Sequence, residues 1–127
     1  MFGLTWAATF QPINAGLVAA GSRHGGNPTG LSAEGGDLIL YFGLVFWNDA
    51  EDDAVLKSKV QEHLTWARQT ASQRGLLNRF IYMNYALGTQ DVMASVGNEN
   101  LERIKRIKMR YDPQNLFGKY WVGGFKL

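Results

Sequence analysis

The chain has 127 residues, 46% of them hydrophobic and 13% aromatic, which is enough to build a single domain around an apolar core. It contains no cysteine and only two histidines, which excludes disulfides and thiolate chemistry and leads us to expect no metal site. The net charge of +2 is too small to indicate nucleic-acid binding. No apolar run approaches the roughly 20 residues that cross a bilayer, and the N-terminus has no secretory pattern. We therefore expect a cytoplasmic protein that binds neither membrane nor nucleic acid.

The first third of the chain predicts two strands separated by a loop. Residues 4–13 alternate loosely and are rich in aromatic and β-branched side chains, which predicts a strand ending at Pro12, because proline cannot continue a ladder. Residues 14–36 contain many glycines and no regular period, which indicates a long loop with a short helical turn at 14–20. Residues 37–47 are almost continuously apolar, as is typical of a strand covered on both faces.

A long helix is predicted after the second strand. Asn48 and Asp49 supply an N-cap signal, and Gly75 marks the end of the helix. Apolar residues recur at intervals of three and four, which indicates one buried helix face. The members of this face are Leu56, Val60, Leu64, Ala67 and Ala71.

The remainder predicts a third strand at 78–86, a second helix and an aromatic tail. The second helix is capped by Asn98 and stopped by Asp112 and the proline after it. The tail at 117–127 is predicted to form a short strand or an ordered arm. We therefore expect an α+β fold, with a small, mainly antiparallel sheet and two helices packed on it. The residues predicted to be buried on the second helix are Leu101, Ile104, Ile107 and Tyr111.

Five basic side chains on the second helix raise the alternative of a nucleic-acid surface. They are Arg103, Lys105, Arg106, Lys108 and Arg110. No aromatic residues that could stack on bases are interleaved with them, so the pattern favours a solvated helix face.

Several spaced motifs resemble one protein family. They are FQPI at 10–13, GGNPTGL at 25–31, WNDAEDD at 47–53, YMNYALGTQ at 82–90, VGNENLERIKRIKMRYDPQNLF at 96–117 and GGFKL at 123–127. Over nearly the whole chain, their spacing resembles the C-terminal region of fungal FAD-linked oxidases of the berberine-bridge-enzyme type. The resemblance implies a single truncated domain without the FAD-binding domain, in which residues 1–77 correspond to the substrate domain and 78–127 to the C-terminal segment.

The same resemblance implies roles for four residues near the third predicted strand. Asn84 and Tyr85 match an Asn-Tyr pair that lies near the isoalloxazine ring, so they are the candidate flavin contacts if a flavin-bearing partner exists. Tyr82 matches an aromatic position that faces the substrate pocket. Gln90 matches a further position of the motif and is a candidate substrate-binding residue.

The candidate catalytic residues are Tyr82, Asn84, Tyr85 and His24. A buried amide without partners costs about 1–3 kcal/mol, so Asn84 either bonds neighbouring backbone or lines a pocket, and the sequence leaves both open. The tyrosines can donate hydrogen bonds to a carbonyl or act as weak general acids. His24 lies on a glycine-rich loop and is the better proton-transfer candidate, although an exposed surface histidine is the alternative. His63 falls in the middle of the long helix and is expected on a helix face or in the core.

Further substrate-binding candidates come from the loop at 22–27 and from the end of the second strand. Glycine-rich loops expose backbone N–H groups and approach ligands closely, which makes Arg23 and Asn27 candidates. Phe46 and Trp47 are the aromatic candidates, and the alternative for both is a place in the core.

Three functions remain open from the sequence. The favoured one is a stand-alone enzyme of fungal natural-product biosynthesis, a flavin-independent cyclase or isomerase that needs no cofactor and acts on a small apolar polyketide- or terpenoid-like intermediate. The second is the C-terminal portion of an FAD-linked oxidoreductase that receives FAD with a separate flavin-binding half. The third is a non-catalytic ligand-binding or scaffold module. Apolar surface bared by the missing domain also predicts a homodimer.

Overall fold

The computed structural model describes residues 3–23 and 25–127. His24, the predicted proton-transfer residue, lies outside the described residues. The described residues form a two-stranded antiparallel sheet and five α-helices, which confirms the α+β class. The elements are β1 Thr5–Ile13, α1 Ala15–Ser22, β2 Leu38–Phe46, α2 Asp53–Gln73, α3 Val92–Ser95, α4 Asn98–Tyr111 and α5 Leu116–Tyr120, with 3₁₀ turns at Ala33–Gly35, Ala50–Asp52 and Met83–Tyr85.

The chain divides into two compact units. The first unit contains the residues up to Gln11 together with Tyr41–Asn78, and the second contains Pro12–Leu40 and Arg79–Leu127. All of α2 and the larger part of each strand belong to the first unit, whereas the other four helices belong to the second. Within the described part of the chain, no helix is long and apolar enough to cross a bilayer.

The long helix of the first unit confirms its prediction. The carboxylate of Asp49 accepts a hydrogen bond from the backbone N–H of Glu51 at 2.9 Å and starts the 3₁₀ turn that leads into α2. Gly75 has a φ of +67° just beyond the C-terminal end of the helix, a conformation that favours glycine. Leu56 is only 3% exposed, and the other members of the predicted helix face are half-buried.

The second strand is less covered than its composition indicates. Ile39 is 70% exposed and Phe46 is 59% exposed, so the prediction of a strand covered on both faces is wrong. In a sheet of two strands, few side chains have neighbouring elements that cover them. An apolar sequence does not change this. The first strand ends one residue later than predicted, at Ile13.

The second unit contains more helix than its glycine-rich sequence predicts. Asn14 caps α1, because its side-chain oxygen accepts a hydrogen bond from the N–H of Leu17 at 2.7 Å. The predicted helical turn is therefore an eight-residue helix. In the tail, the carboxylate of Asp112 accepts from the N–H groups of Leu116 at 2.6 Å and Phe117 at 3.1 Å, so residues 116–120 form α5 and not a strand.

The helix α4 begins at Asn98, with Gly97 in the N-cap position. Its predicted buried face is only partly correct, since Leu101 and Ile104 are half-buried whereas Ile107 is 49% exposed and Tyr111 73% exposed. Apolar spacing identified the helix, but the spacing does not say how far a neighbouring element extends along it.

The third predicted strand, at 78–86, is absent from the structure. The N–H of Tyr85 donates to the carbonyl of Tyr82 at 3.1 Å, and the N–H of Ala86 donates to the carbonyl of Met83 at 3.3 Å. These are local 3₁₀ contacts. Because the backbone donors are used within the turn, the segment cannot pair with the sheet at this point.

Candidate functional site

The turn Met83–Tyr85 is preceded by a segment that two side chains hold in place. The guanidinium of Arg79 donates to the carbonyl of Gly30 at 3.3 Å. The N–H of Ile81 donates to the hydroxyl of Ser95 at 3.1 Å, and Ser95 is only 5% exposed. A buried hydroxyl that accepts from backbone replaces the ladder partner that a strand would have supplied. The position of the turn is therefore set by contacts with residues distant in sequence.

Three of the four predicted catalytic residues lie together on this turn. The side-chain amide of Asn84 donates to the phenol oxygen of Tyr82 at 2.8 Å. The rings of Tyr82 and Tyr85 are 5.0 Å apart at 85°, an edge-to-face arrangement. We call Tyr82, Asn84 and Tyr85 the amide–phenol cluster.

The amide–phenol cluster faces solvent. Tyr82 is 36% exposed and Tyr85 45% exposed, and Asn84 is exposed as well. Asn84 is therefore exposed, and its side-chain amide donates to a phenol and not to neighbouring backbone. Water can hydrogen-bond the other polar atoms of Asn84. The fold therefore does not need this contact to satisfy a buried polar group.

The hydrogen bond within the cluster prepares Tyr82 to donate. A phenol has one O–H donor and two acceptor lone pairs, and here one lone pair accepts from the Asn84 amide. A hydroxyl that accepts one hydrogen bond becomes a better donor in a second. The arrangement suits a carbonyl or phenol oxygen of a ligand, with the ring of Tyr85 beside it as an apolar surface.

Gln90 closes the next turn of the chain. Its side-chain oxygen accepts from the N–H of Leu87 at 2.8 Å, and its own N–H donates to the Leu87 carbonyl at 2.9 Å. The side-chain oxygen thereby shapes the backbone after the cluster. The substrate-binding role of Gln90 stays a prediction.

The loop after α1 places its predicted residues in structural contacts. The side-chain oxygen of Asn27 accepts from the N–H of Thr29 at 2.9 Å and from its hydroxyl at 2.6 Å, which forms an Asx turn. Arg23 is exposed and ends α1 with a hydrogen bond from its N–H to the carbonyl of Ala20 at 3.3 Å. The ligand-binding roles of Arg23 and Asn27 stay predictions, as does the catalytic role of His24.

The two aromatic candidates belong to the first unit, whereas the cluster belongs to the second. The indole N–H of Trp47 donates to a carboxylate oxygen of Asp53 at 2.7 Å, and Lys57 binds the other oxygen at 2.6 Å. The hydrogen bond from Lys57, followed by that from Trp47, holds the pKa of Asp53 below its ordinary value. Trp47 thus secures the start of α2, while Phe46 is 59% exposed. Substrate binding by either residue stays a prediction.

Sequence reasoning missed one pair of polar side chains in the first unit. The phenol of Tyr41 is hydrogen-bonded to Nε2 of His63, and His63 is half-buried, as expected for a histidine on a helix face. The two residues are 22 positions apart, so no local spacing indicates the contact. The sequence indicates only that His63 lies near the buried helix face, because it falls three positions after Val60 and one before Leu64.

The exposed turn of this α+β chain presents phenol and amide groups to solvent. Residues 81–119, which include that turn, match the family model for berberine and berberine-like proteins. Within that segment the chain is similar to this family, and the resemblance seen in its motifs is confirmed.

Curated relatives match most of the chain. An FAD-dependent monooxygenase of Fusarium proliferatum is 38% identical over 117 residues, which cover 92% of this chain and 23% of that protein. A bifunctional solanapyrone synthase of Alternaria solani is 30% identical over 117 residues, with 92% and 22% covered. The chain therefore spans less than a quarter of the length of these relatives. No solved structure matches it.

The exposed groups of the amide–phenol cluster match the ring edge of a flavin in hydrogen-bonding type, whereas the glycine-rich loop at Gly25 and Gly26 lacks the features of a phosphate-binding loop. The ring edge of a flavin carries carbonyl oxygens and nitrogens, and Tyr82 and Asn84 expose a donor and an amide of matching type. Gly25 and Gly26 have φ values of +97° and +100°, yet no helix begins after them before Ala33. This glycine-rich loop therefore does not lead directly into a helix N-terminus of the kind that holds phosphates in nucleotide-binding loops.

Proposed function

We propose that this chain forms the substrate-binding side of an FAD-linked oxidoreductase of fungal secondary metabolism. In this proposal the amide–phenol cluster binds and orients a small apolar natural-product intermediate. The observation that carries the proposal is the exposed phenol of Tyr82, which accepts a hydrogen bond from Asn84 at 2.8 Å. The names of the relatives, FAD-dependent monooxygenases, support the choice of flavin chemistry.

The cluster would contribute orientation and hydrogen bonding. The O–H of Tyr82 donates to a carbonyl or phenolic oxygen of the intermediate, and the Asn84 amide holds that hydroxyl in position. The edge-to-face ring of Tyr85 limits the orientations of a flat apolar ligand. Fixing the reacting group in this way lowers the entropic part of the barrier, and a donor aimed at an oxygen that gains negative charge stabilises the transition state.

FAD, when bound, supplies the oxidation, and a flavin-binding half would hold its phosphates. Asn84 and Tyr85 are the residues of this chain that would contact the FAD. They offer an amide and a phenol to the edge of the flavin ring. The exposure of Tyr85, 45%, leaves room for such a contact.

The test is a reconstitution with the Fusarium proliferatum relative. That relative is expressed without the segment that this chain matches, loaded with FAD and mixed with the intact chain. A yellow complex with the summed mass, and a shift in its flavin absorbance, are expected. Two separate species with unchanged flavin absorbance would contradict the proposal. Tyr120→Phe, at a phenol that is 78% exposed, is the matched control for Tyr85→Phe, which should reduce the flavin shift.

A flavin-independent cyclase or isomerase is the second candidate function. It is favoured by the fact that every group of the cluster comes from this chain, and by the fact that cyclisation or isomerisation needs orientation and hydrogen bonding without an electron acceptor. Conversion of a linear polyketide or terpenoid precursor by the purified chain, without flavin absorbance, is its test. Tight binding of such a precursor without turnover would favour the ligand-binding or scaffold alternative.

Self-association stays a prediction that the exposed side chains support. Large apolar residues at high exposure occur in both units, and contiguous apolar surface calls for a cover. Examples are Phe10, Ile39, Trp66, Phe117 and Trp121, all at least 59% exposed. A molecular mass measured in solution separates a dimer of this chain from a monomer that awaits a flavin-binding half.

A further inference from the structure

An open groove lies in the first unit between α2 and the start of β1. Its volume is about 540 Å³, within the range of roughly 300–1,000 Å³ that is typical of small-molecule sites. Apolar walls come from Leu4, Trp6, Val55 and Trp66. Each of these side chains is more than a third exposed, so the groove is accessible to a ligand. None of them belongs to the amide–phenol cluster.

His63 places a polar group among these walls. Its ring centroid is 5.2 Å from that of Trp6 and 5.6 Å from that of Trp66, with interplanar angles of 77° and 36°. Aromatic pairs at such distances are favourable and hold the imidazole in place between two indoles. The groove therefore combines flat apolar surfaces with one ring that can donate or accept a hydrogen bond.

The contact with Tyr41 determines what His63 can offer. Tyr41 is hydrogen-bonded to Nε2, and no described residue is hydrogen-bonded to the other ring nitrogen, Nδ1. When the Tyr41 O–H donates to Nε2 of a neutral imidazole, the ring proton resides on Nδ1. Nδ1 is then a donor that suits a carbonyl oxygen.

The charges at the groove disfavour an ionic ligand. Lys59 and Glu62 both line it and form an ion pair at 2.7 Å. The hydrogen bond from Lys59 lowers the pKa of Glu62, which favours its carboxylate form, and the ion pair leaves no net charge at the groove. A charged ligand would be repelled by one member of the pair while the other is already engaged.

We propose that this groove binds an uncharged, flat aromatic ketone or quinone. Its ring lies against the indoles of Trp6 and Trp66, and its carbonyl oxygen accepts a hydrogen bond from Nδ1 of His63. Tyr41 acts as a positioning residue that sets the tautomer of the imidazole. The proposal does not depend on the function proposed for the amide–phenol cluster, because the two involve different residues.

The four tryptophans give the test an internal control. In the ¹⁵N-labelled chain, each indole N–H gives one NMR signal, and 2-acetylnaphthalene serves as the probe. We expect the signals of Trp6 and Trp66 to shift and saturate, while those of Trp47 and Trp121 stay in place. Shifts of all four signals, or shifts that do not saturate, would overturn the proposal.

Two comparisons isolate the hydrogen bond. His63→Phe keeps an aromatic wall and should weaken binding of 2-acetylnaphthalene by about fivefold, since one neutral hydrogen bond is worth about 1 kcal/mol. The same variant should bind 2-ethylnaphthalene, which has no carbonyl, as the unaltered chain does. Tyr41→Phe should weaken binding of the ketone less than His63→Phe, and Tyr120→Phe should leave it unchanged. Equal binding of the ketone by the unaltered chain and His63→Phe would overturn the assigned contact.

Two further outcomes would assign the groove differently. Tighter binding of 2-naphthoate than of 2-acetylnaphthalene would contradict an uncharged ligand. Signals of Trp6 and Trp66 that shift with protein concentration, without any probe, would show that the groove receives a second copy of the chain.

Discussion

The two units of this protein differ in the length of their helices and in how those helices begin. The first unit contains a 21-residue helix with one apolar face and an aromatic contact between that helix and β2, the Tyr41–His63 pair. The second unit contains helices of 4 to 14 residues, which are joined by turns that polar side chains hold. Asn14, Asp91 and Asp112 each accept hydrogen bonds from backbone N–H groups. The second unit therefore uses side-chain-to-backbone hydrogen bonds at three helix starts and also buries Val18 and Val92, whereas the first unit buries Leu56 on its long helix.

The largest effect is expected where the first unit buries an apolar side chain. Leu56 is 3% exposed, and truncating a buried leucine leaves a cavity, so Leu56→Ala should lower the free energy of unfolding by about 3 kcal/mol. Val55, its neighbour on α2, is 51% exposed, and Val55→Ala should cost less than about 1 kcal/mol. Urea unfolding followed by circular dichroism measures both. Equal losses would show that burial on α2 is not what stabilises the first unit.

A backbone position in the second unit should give the next largest effect. Gly30 has a φ of +71°, and a Cβ atom there would collide with the carbonyl oxygen of Val96. Gly30→Ala should therefore destabilise the protein by about 2 kcal/mol. Gly35 has open space around it and no positive φ, so Gly35→Ala should change the free energy of unfolding by less than about 0.5 kcal/mol. A tolerated Gly30→Ala would mean that this close approach is not needed.

The buried hydroxyl of the second unit should come third. Ser95 accepts from the N–H of Ile81 at 3.1 Å and donates to the carbonyl of Val92 at 2.7 Å. Ser95→Ala leaves that N–H without its partner and should cost about 1.5 kcal/mol. Ser58→Ala, at an exposed serine of α2, is the matched control and should be nearly neutral. If both variants unfold alike, hydrogen bonding to side chains does not organise the second unit.

The smallest expected effect concerns pH and the start of α2. The folded state holds the pKa of Asp53 below its ordinary value, so this carboxylate stabilises the fold above the unfolded pKa, and the contribution is lost as pH falls through the folded pKa. The indole N–H signal of Trp47 should follow that titration, with a midpoint below that of an ordinary aspartate. In Asp53→Asn, where no carboxylate titrates, the signal should not respond in this range. A midpoint above that of an ordinary aspartate would contradict the assigned contacts.

The fold could be predicted from the sequence to a different extent in the two units. The long helix was predictable because Leu56, Val60 and Leu64 repeat within the helix itself. The segment 78–86 was predicted as a strand because its composition is β-prone, but the partner of the Ile81 N–H is a hydroxyl 14 residues away. Such a contact leaves no period in the sequence. The turn in place of the strand is therefore a consequence of tertiary structure.

The candidate site was predictable in membership but not in geometry. Tyr82, Asn84 and Tyr85 were identified from their motif, and they do lie together. Their exposure was not predictable, because the segment was predicted as a strand and the structure has a 3₁₀ turn there. The Tyr41–His63 contact had no signal beyond the helix face on which His63 falls, since a partner 22 residues away is set by how the helix packs on the sheet.

In the proposed function, Asn84 positions the hydroxyl of Tyr82 for a ligand and does not stabilise the fold. The most direct measurement is the free energy of unfolding of Asn84→Ala beside that of Ser95→Ala. Because Asn84 is exposed and its amide bonds an exposed phenol, we expect Asn84→Ala to change stability by less than about 0.5 kcal/mol. A loss as large as that of Ser95→Ala would show that the amide is structural and would contradict the role proposed for Asn84.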